Sequence, residues 1–281
     1  MLKQRIITAV ALLLVLLPAL FYPQAEPFCA LALVLIAAGA WEWGRLNGLG
    51  QGAAFLTSGL CVLMCALSWS AGWLGQPLPM VWVLAGGFWV LAGCWLLAAG
   101  VPAWDKIARP LRLVLGVLVL WCAWLAMAQA RVLGVNFLLS VLVLVWVADV
   151  FAYFAGRTLG GRLSRNKLAP SISPGKSWEG VWGGMVGVLL LAWGWRWAEQ
   201  AWALPLPSLY SHLAQHGLGF LLVSVVFMAA MSVVGDLVES LIKRSAGVKD
   251  SSHLLPGHGG VLDRVDALLP TLPLAMLLFS F

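Results

Sequence analysis

The densest group of chemically capable side chains in this chain of 281 residues lies between Ser240 and Asp266. The segment reads SLIKRSAGVKDSSHLLPGHGGVLDRVD and combines cations, carboxylates, two histidines and a Gly-Gly pair, although only 10% of the chain is charged. Charge is costly in or near a bilayer, so a cluster this dense indicates a functional site. Carboxylates beside cations and a pliable glycine backbone are suited to holding metal ions against phosphates.

Three carboxylates in this region are candidates for a metal site. Asp236 lies just upstream of the segment in an apolar stretch, whereas Asp263 and Asp266 are one helical turn apart farther along. Mg²⁺ prefers hard oxygen ligands and usually takes few protein carboxylates, with water and substrate phosphate completing its shell. We therefore predict that Asp236, Asp263 and Asp266 bind Mg²⁺, with a second cation left open. The alternative is a set of interhelix salt bridges, because Lys and Arg are numerous enough to neutralise each acid.

A second cluster lies earlier in the chain, where Asp149, Tyr153 and Arg157 recur at intervals of four residues. This spacing places the three side chains on one stripe of a helix. An aspartate inside an apolar span favours a binding function, because such a residue is costly there. The alternative is an interfacial tyrosine anchor with an ion pair at the end of the helix.

The third cluster reads SPGKSWEG at 173–180. Ser173 followed by Pro174 predicts a helix N-cap and a first-turn proline. Free backbone N–H groups at such a start, with Lys176 and Ser177 beside them, would bind an anion. A Walker A loop is excluded, because Pro170 stands where its first glycine should be and no βαβ unit surrounds it. The alternative is a charged helix cap.

Composition determines what must position these clusters. The chain is 62% hydrophobic with a mean hydropathy of +0.94, whereas a soluble domain is about half apolar. Because about 20 apolar residues cross the hydrocarbon core, we predict an all-α, polytopic integral membrane protein with about nine transmembrane helices. The predicted spans are roughly 6–22, 26–44, 54–74, 80–99, 110–130, 135–154, 179–199, 218–241 and 261–281.

The basic residues divide unevenly between the segments that flank these spans. Of the 17 Lys and Arg, all but Arg131 and Arg196 fall on one side. By the positive-inside rule, the N-terminus and the charged loops are predicted to be cytoplasmic. Topology and anionic lipid headgroups then account for the net charge of +6, so no nucleic-acid partner is predicted. The cytoplasmic set is Lys3, Arg5, Arg45, Lys106, Arg109, Arg112, Arg157, Arg162, Arg165, Lys167, Lys176, Lys243, Arg244, Lys249 and Arg264.

The candidate residues are concentrated in the second half of the chain. Residues 1–130 contain about five of the predicted spans and few charges, so we predict a transmembrane scaffold there. Residues 131–281 are predicted to form the catalytic region, with two long cytoplasmic loops at 156–178 and 242–260.

The segment at 240–266 resembles the diagnostic motif of the phosphatidate cytidylyltransferases, also called CDP-diacylglycerol synthases. Two further segments are similar to that family, DVFAYFAGR at 149–157 and SPGKSWEG at 173–180. The resemblance covers the second half of the chain, while the first half is similar only in its polytopic character. One departure is Gly175, where many relatives carry a second lysine.

The resemblance implies that CTP and phosphatidic acid react to give CDP-diacylglycerol and pyrophosphate with a divalent metal. It implies metal binding by Asp236, Asp263 and Asp266. The residues expected on CTP phosphates are Arg157, Lys176, Ser177 and Lys249. Those expected on the lipid phosphate or pyrophosphate are Lys243, Arg244 and His258. Asp250 and Arg264 are expected to organise the pocket, and the remaining expected substrate-binding residues are Asp149, Tyr153, Glu179 and Ser240.

The expected partners are CTP, phosphatidic acid and membrane lipids, in a bacterial cytoplasmic (inner) membrane with the site on the cytoplasmic side. Gly183 and Gly187 could join helices within one protomer or between two, so a homodimer is left open. One alternative is a cytidylyltransferase for another lipid phosphate. The other is an ion-coupled transporter with Asp149, Asp236 and Glu239 as ligands. A transporter should place carboxylates near the bilayer midplane and often has repeated halves, whereas these carboxylates crowd one edge.

Overall fold

The structure is a computed structural model that describes residues 2–164 and 166–281. Arg165, which was assigned to the cytoplasmic side, lies outside the described residues. The described chain is 77% helical with almost no sheet, and the prediction of an all-α polytopic membrane protein is confirmed.

The first half of the chain forms seven helices and two short irregular turns. A 3₁₀ turn at Trp73–Gly75 precedes α4, and a π-helical turn at Trp89–Gly93 joins α4 to α5. The helices are α1 (Leu2–Phe21), α2 (Glu26–Leu46), α3 (Gln51–Ser70), α4 (Pro79–Phe88), α5 (Cys94–Ala99), α6 (Val101–Lys106) and α7 (Arg109–Leu133).

The second half adds six helices and one small hairpin. The hairpin pairs β1 (Lys167–Ala169) with β2 (Ser173–Ser177) in antiparallel orientation, inside the first predicted cytoplasmic loop. The helices are α8 (Val135–Leu159), α9 (Trp178–Ala201), α10 (Leu209–Gln215), α11 (Leu218–Ser245), α12 (Leu262–Val265) and α13 (Leu268–Phe279).

Within the described residues, seven helical segments are long and apolar enough to cross a membrane. They are α1, α2, α3, α7, α8, α11 and the continuous run Pro79–Ala99 that contains α4 and α5. Two predicted spans differ from this set. The helix α9 is 24 residues long but carries three charged residues near its ends, and the region predicted as 261–281 is divided into α12 and the 12-residue α13. The count of nine crossings and the cytoplasmic N-terminus stay predictions.

The predicted start of α9 at Ser173–Pro174 is wrong. Both residues belong to strand β2, and the helix begins at Trp178 with Ser177 as its N-cap. The side chain of Ser177 accepts a hydrogen bond from the backbone N–H of Gly180 at 3.2 Å. The physical reason is that extended pairing with β1 satisfies the backbone through residue 177, so a serine at the end of the strand does the capping.

The helices α8 and α9 pack more extensively on each other than any other pair in the described chain. A side chain on Gly183 would overlap Ala155, and one on Gly187 would overlap Phe151. Glycine permits this close approach because it has no Cβ. These two glycines therefore join helices within one protomer, and the contact places the C-terminal end of α8 beside the N-terminal end of α9.

The start of α1 lies on the same face of the molecule as the motif segment 240–266. The hydroxyl of Thr8 donates to the carbonyl of Pro256 at 2.9 Å, and a Cβ on Gly257 would lie 2.9 Å from the side chain of Arg5. At the other end of α1, Arg131 donates to the carbonyl of Leu20 at 2.9 Å. This arrangement agrees with the uneven distribution of basic residues, because Arg131 is one of the two exceptions.

Candidate active site

A cavity of about 560 Å³ lies where the C-terminal part of α8, strand β2, the start of α9 and the middle of α11 meet. Its wall contains side chains from all three clusters that the sequence singled out. We call the polar residues of this wall the open cluster: Asp149, Tyr153, Arg157, Lys176, Ser177 and Asp236. The wall also includes several glycines, among them Gly156 and Gly180. Their lack of side chains leaves room for a ligand beside the polar groups.

The stripe predicted on α8 is present at the mouth of this cavity. Arg157 donates to the hydroxyl of Tyr153 at 2.7 Å, as the spacing of four residues along a helix permits. The side chains of Asp149, Tyr153 and Arg157 are all exposed. The guanidinium of Arg157 therefore keeps donors free for an incoming anion.

An ion pair crosses the cavity between β2 and α11. The Lys176 Nζ lies 2.5 Å from Asp236 Oδ2, and each side chain is a little under one-third exposed, at 28% and 29%. The hydroxyl of Ser240 donates to the other carboxylate oxygen of Asp236 at 3.3 Å. An ion pair that is this accessible can exchange partners, because neither charge has been fully removed from solvent.

Glu179 does not line the cavity, although it was expected to bind substrate. Its side chain is buried, and Oε1 accepts the backbone N–H groups of Gly161, Leu163 and Ser164 at 3.1, 3.1 and 2.8 Å. These contacts order the chain that follows α8. The geometry thus favours an organising function for Glu179.

A second group of charges is buried beside the open cluster. The Nζ of Lys243 lies 2.6 Å from both Glu239 Oε2 and Asp263 Oδ1. The side chains of Lys243, Glu239 and Asp263 are 12%, 6% and 4% exposed. Together with Ser251 and Glu42, described below, we call these residues the closed network.

Asp263 accepts hydrogen bonds from several groups of the closed network and of the segment before α12. Besides Lys243, its carboxylate accepts from the backbone N–H of Gly260 at 2.7 Å and from the backbone N–H and hydroxyl of Ser251, each at 3.0 Å. Asp263 lies outside the seven long apolar helices. Burial alone would raise its pKa, but the hydrogen bonds from Lys243 and Gly260 prevail and lower the pKa of Asp263 to about 2.

Glu42 lies in the range 1–130, which was predicted to be a scaffold. It lies near the end of α2, is 0% exposed, and accepts hydrogen bonds from the segment that precedes α12. The sequence carries a signal for Glu42 that is the same as for Asp149: an acidic residue lies within an apolar helix. Such a residue is costly there and needs hydrogen-bond partners.

The other predicted residues surround the two groups without lining the cavity. The guanidinium of Arg244 donates weakly to the carbonyl of Ile172, at 3.4 Å, which connects α11 to the hairpin. His258 is half-buried, and its Nδ1 has no hydrogen-bond partner within the described part of the chain. Asp266 is half-buried near the start of α13, where Oδ1 accepts the N–H of Ala267 at 2.7 Å. The exposed residues of this set are Arg244, Lys249, Asp250 and Arg264.

The carboxylates fit a metal ion only in part. Over residues 2–164 and 166–281, no group of three His, Cys, Asp or Glu side chains is arranged to hold one. The oxygens of Asp263 already accept several donors, and the ammonium of Lys243 occupies the place of a cation beside them. Asp236 faces the cavity and lies within electrostatic range of Asp149 and Asp266. A cation that takes few protein carboxylates, as Mg²⁺ does, therefore fits best at Asp236.

A model of the cytidylyltransferase family matches residues 3–281, which is nearly the whole chain. The chain belongs to this family. The resemblance seen in the motif segment is thereby confirmed, and it extends over the first half of the chain as well as the second.

Two named relatives are similar along nearly their whole length, and a third is similar along about half. The phosphatidate cytidylyltransferase of Pseudomonas aeruginosa is 40% identical, over 97% of this chain and 95% of that protein. The phosphatidate cytidylyltransferase of Haemophilus influenzae is 37% identical, over 100% of this chain and 99% of that protein. The phosphatidate cytidylyltransferase of Bacillus subtilis is 40% identical over about half of each chain, at 52% and 48%.

Proposed function

We propose that this protein transfers CMP from CTP to phosphatidic acid, forming CDP-diacylglycerol and releasing pyrophosphate. Its full-length similarity to phosphatidate cytidylyltransferases supports this substrate pair. The observation that carries the proposal is the cavity in which Asp149, Lys176 and Asp236 meet from three elements distant in sequence. A cation-binding carboxylate beside a lysine is the combination that a nucleoside triphosphate and its counterion require.

The reaction needs electrostatic stabilisation more than a strong base. The phosphate of phosphatidic acid is largely ionised at pH 7, because phosphomonoesters have a second pKa near ~6–7. One of its oxygens attacks the α-phosphorus of CTP, and the bond from that phosphorus to the pyrophosphate oxygen breaks. Two anions must meet and negative charge must shift to the pyrophosphate, so cations in fixed positions lower the barrier.

The open cluster supplies those positions. Arg157, Lys176 and Ser177 are proposed to hold the phosphates of CTP at the start of α9, where free N–H groups favour an anion. Lys176 would turn from Asp236 to a phosphate oxygen when substrate enters, leaving the carboxylate for a cation. The pairing of Lys243 with Glu239 and Asp263 favours an organising function over the direct phosphate contact expected for it. Arg244, Lys249 and His258 remain proposed phosphate contacts, and Asp250 and Arg264 remain proposed to organise the pocket.

Mg²⁺ is proposed as the cation, held by Asp236 with Asp266 nearby and with substrate phosphates completing its shell. It would supply charge neutralisation at the phosphates. Asp263 could serve as a ligand only after release of Lys243, so its proposed contribution is to keep Lys243 and the segment before α12 in place.

The membrane setting is proposed to be the bacterial inner membrane with the site on the cytoplasmic side. Similarity to bacterial enzymes and the basic face that contains the motif segment support this orientation. A homodimer remains a prediction.

The test uses purified protein in detergent with CTP labelled at the α-phosphate, Mg²⁺ and phosphatidic acid. We expect labelled CDP-diacylglycerol, and no label in lipid when the CTP is labelled at the γ-phosphate. Parallel reactions replace phosphatidic acid by a polyprenyl phosphate. Folded protein that labels only the polyprenyl phosphate, or no lipid with any divalent metal, would exclude the proposed activity.

A further inference from the structure

The carboxylate of Glu42 bonds helix α2 to the segment before α12, residues 251–261, and to the first residue of α12. Its Oε1 accepts from the hydroxyl of Ser252 at 2.5 Å and the N–H of Val261 at 2.9 Å. Its Oε2 accepts from the N–H of Leu262 at 2.8 Å and the hydroxyl of Ser251 at 3.2 Å. Oε1 thus receives two donors, whereas Oε2 receives the N–H of Leu262 and shares the single hydroxyl hydrogen of Ser251 with Asp263.

These bonds fix the start of α12 from outside that helix. Val261 is the N-cap of α12 and Leu262 is its first residue, so their N–H groups have no partner within the helix. Glu42 supplies the missing acceptor from α2, over a sequence separation of 219 residues for Val261. The α12 helix carries Asp263 and leads into Asp266, so its placement determines where both carboxylates lie.

The connection continues from Glu42 to the closed network through Ser251. The hydroxyl of Ser251 lies between Glu42 Oε2 and Asp263 Oδ2, at 3.2 and 3.0 Å. Asp263 in turn bonds to Lys243 at 2.6 Å. A side chain at Gly260 would overlap both Ser251 and Glu42, so the backbone passes against the carboxylate with no room to spare.

We propose that Glu42 is a positioning residue for cytidylyl transfer. Its contacts hold Asp263 and Lys243 at fixed positions relative to the open cluster. The inference rests on the proposed function and adds to it a residue from the half of the chain that was predicted to be scaffold. A displacement of about 1 Å in a catalytic group can lower turnover about 10²-fold, so loss of the Glu42 contacts should lower kcat.

Glu42→Gln is the decisive variant. The amide keeps the volume and one oxygen, but its NH₂ must face either Val261 N–H or Leu262 N–H, which cannot turn to accept. We expect kcat to fall at least about 10-fold while KM for CTP changes less than about 3-fold, because Glu42 touches no residue of the open cluster.

Glu199→Gln is the matched control. Glu199 is also a buried carboxylate, 7% exposed, and it accepts from Asn136 at 2.5 Å and from the N–H of Ser208 at 2.6 Å. It lies at the opposite ends of α8 and α9 from the cavity. A merely structural role for Glu42 predicts that the two variants lose similar thermal stability and similar activity per folded molecule.

Two further measurements separate this inference from the proposed function. Trypsin should cleave after the exposed Lys249 faster in Glu42→Gln than in wild type, whether or not the reaction is the proposed one. Ser251→Ala should lower kcat more than Ser252→Ala, because only Ser251 connects Glu42 to Asp263. Equal kcat per folded molecule in Glu42→Gln and Glu199→Gln would overturn the inference, as would unchanged cleavage after Lys249. An inactive wild type with the expected cleavage difference would instead contradict the proposed function.

Discussion

The open cluster and the closed network contain the same kinds of side chains but differ in how completely these are paired. In the open cluster, Lys176 and Asp236 form a pair whose side chains are 28% and 29% exposed beside a cavity of about 560 Å³. In the closed network, Lys243 and Asp263 form a pair that is 12% and 4% exposed and is surrounded by further donors. Accessible charges can exchange their partner for a ligand, whereas buried and saturated charges hold the backbone in place.

Removal of divalent cations should have the largest effect on activity and should affect only the open cluster. Chelation with EDTA should reduce product formation to background, and added Mg²⁺ should restore it, because the substrate phosphates need a counterion. The melting temperature of the protein should change little, since the closed network already contains its own cation in Lys243. A large loss of thermal stability on chelation would contradict this division of tasks.

The next largest effect is expected for Asp236→Asn in the open cluster. The amide keeps the volume but removes the charge that would face a cation, so kcat should fall by at least about 10²-fold. Melting should stay close to that of wild type, because the carboxylate is partly exposed. The assay is labelled CDP-diacylglycerol formation. Turnover within about 10-fold of wild type, a difference of less than about 1.4 kcal/mol, would remove Asp236 from the site.

Substitution of Lys243 should mainly lower stability, whereas substitution of Lys176 should mainly weaken CTP binding. Lys243→Met leaves Glu239 and Asp263 buried without their cation, which should cost about 3–5 kcal/mol of folding free energy. Lys176→Met breaks an accessible pair and should lower the free energy of unfolding by no more than about 1 kcal/mol. It should nevertheless weaken CTP binding and so raise KM for CTP. Thermal unfolding in detergent measures the first effect and KM for CTP measures the second. Equal destabilisation by the two substitutions would abolish the distinction between the groups.

The smallest effect is expected at the mouth of the cavity. Tyr153→Phe removes the hydroxyl that accepts from Arg157, a single hydrogen bond worth about 0.5–1.5 kcal/mol. Because Arg157 would then be less well oriented, KM for CTP should rise about 2- to 10-fold with kcat nearly unchanged. Arg157→Lys is the companion variant, since it keeps the charge but loses the planar donor group. No change in KM for either variant would exclude this end of the stripe from CTP binding.

Helix-level features followed from the sequence because they depend on local spacing. The stripe of Asp149, Tyr153 and Arg157 is a property of a single helix, and its period can be counted along the chain. The start of α9 could not be counted in this way. Pairing of β2 with β1 displaced it from Ser173 to Trp178, and that pairing depends on residues on both sides of a turn.

The sequence by itself determined that the protein is a membrane protein, which family it belongs to, and which charged residues lie in or next to apolar spans. Hydrophobicity and motif spacing are linear properties, so they survive without coordinates. Only the tertiary structure decided which charges are paired. It joined Lys176 to Asp236 and Lys243 to Asp263, and it brought Glu42 to the segment before α12. The reason is that the partner of a buried charge is set by helix packing between segments distant in sequence, and no local pattern encodes that distance.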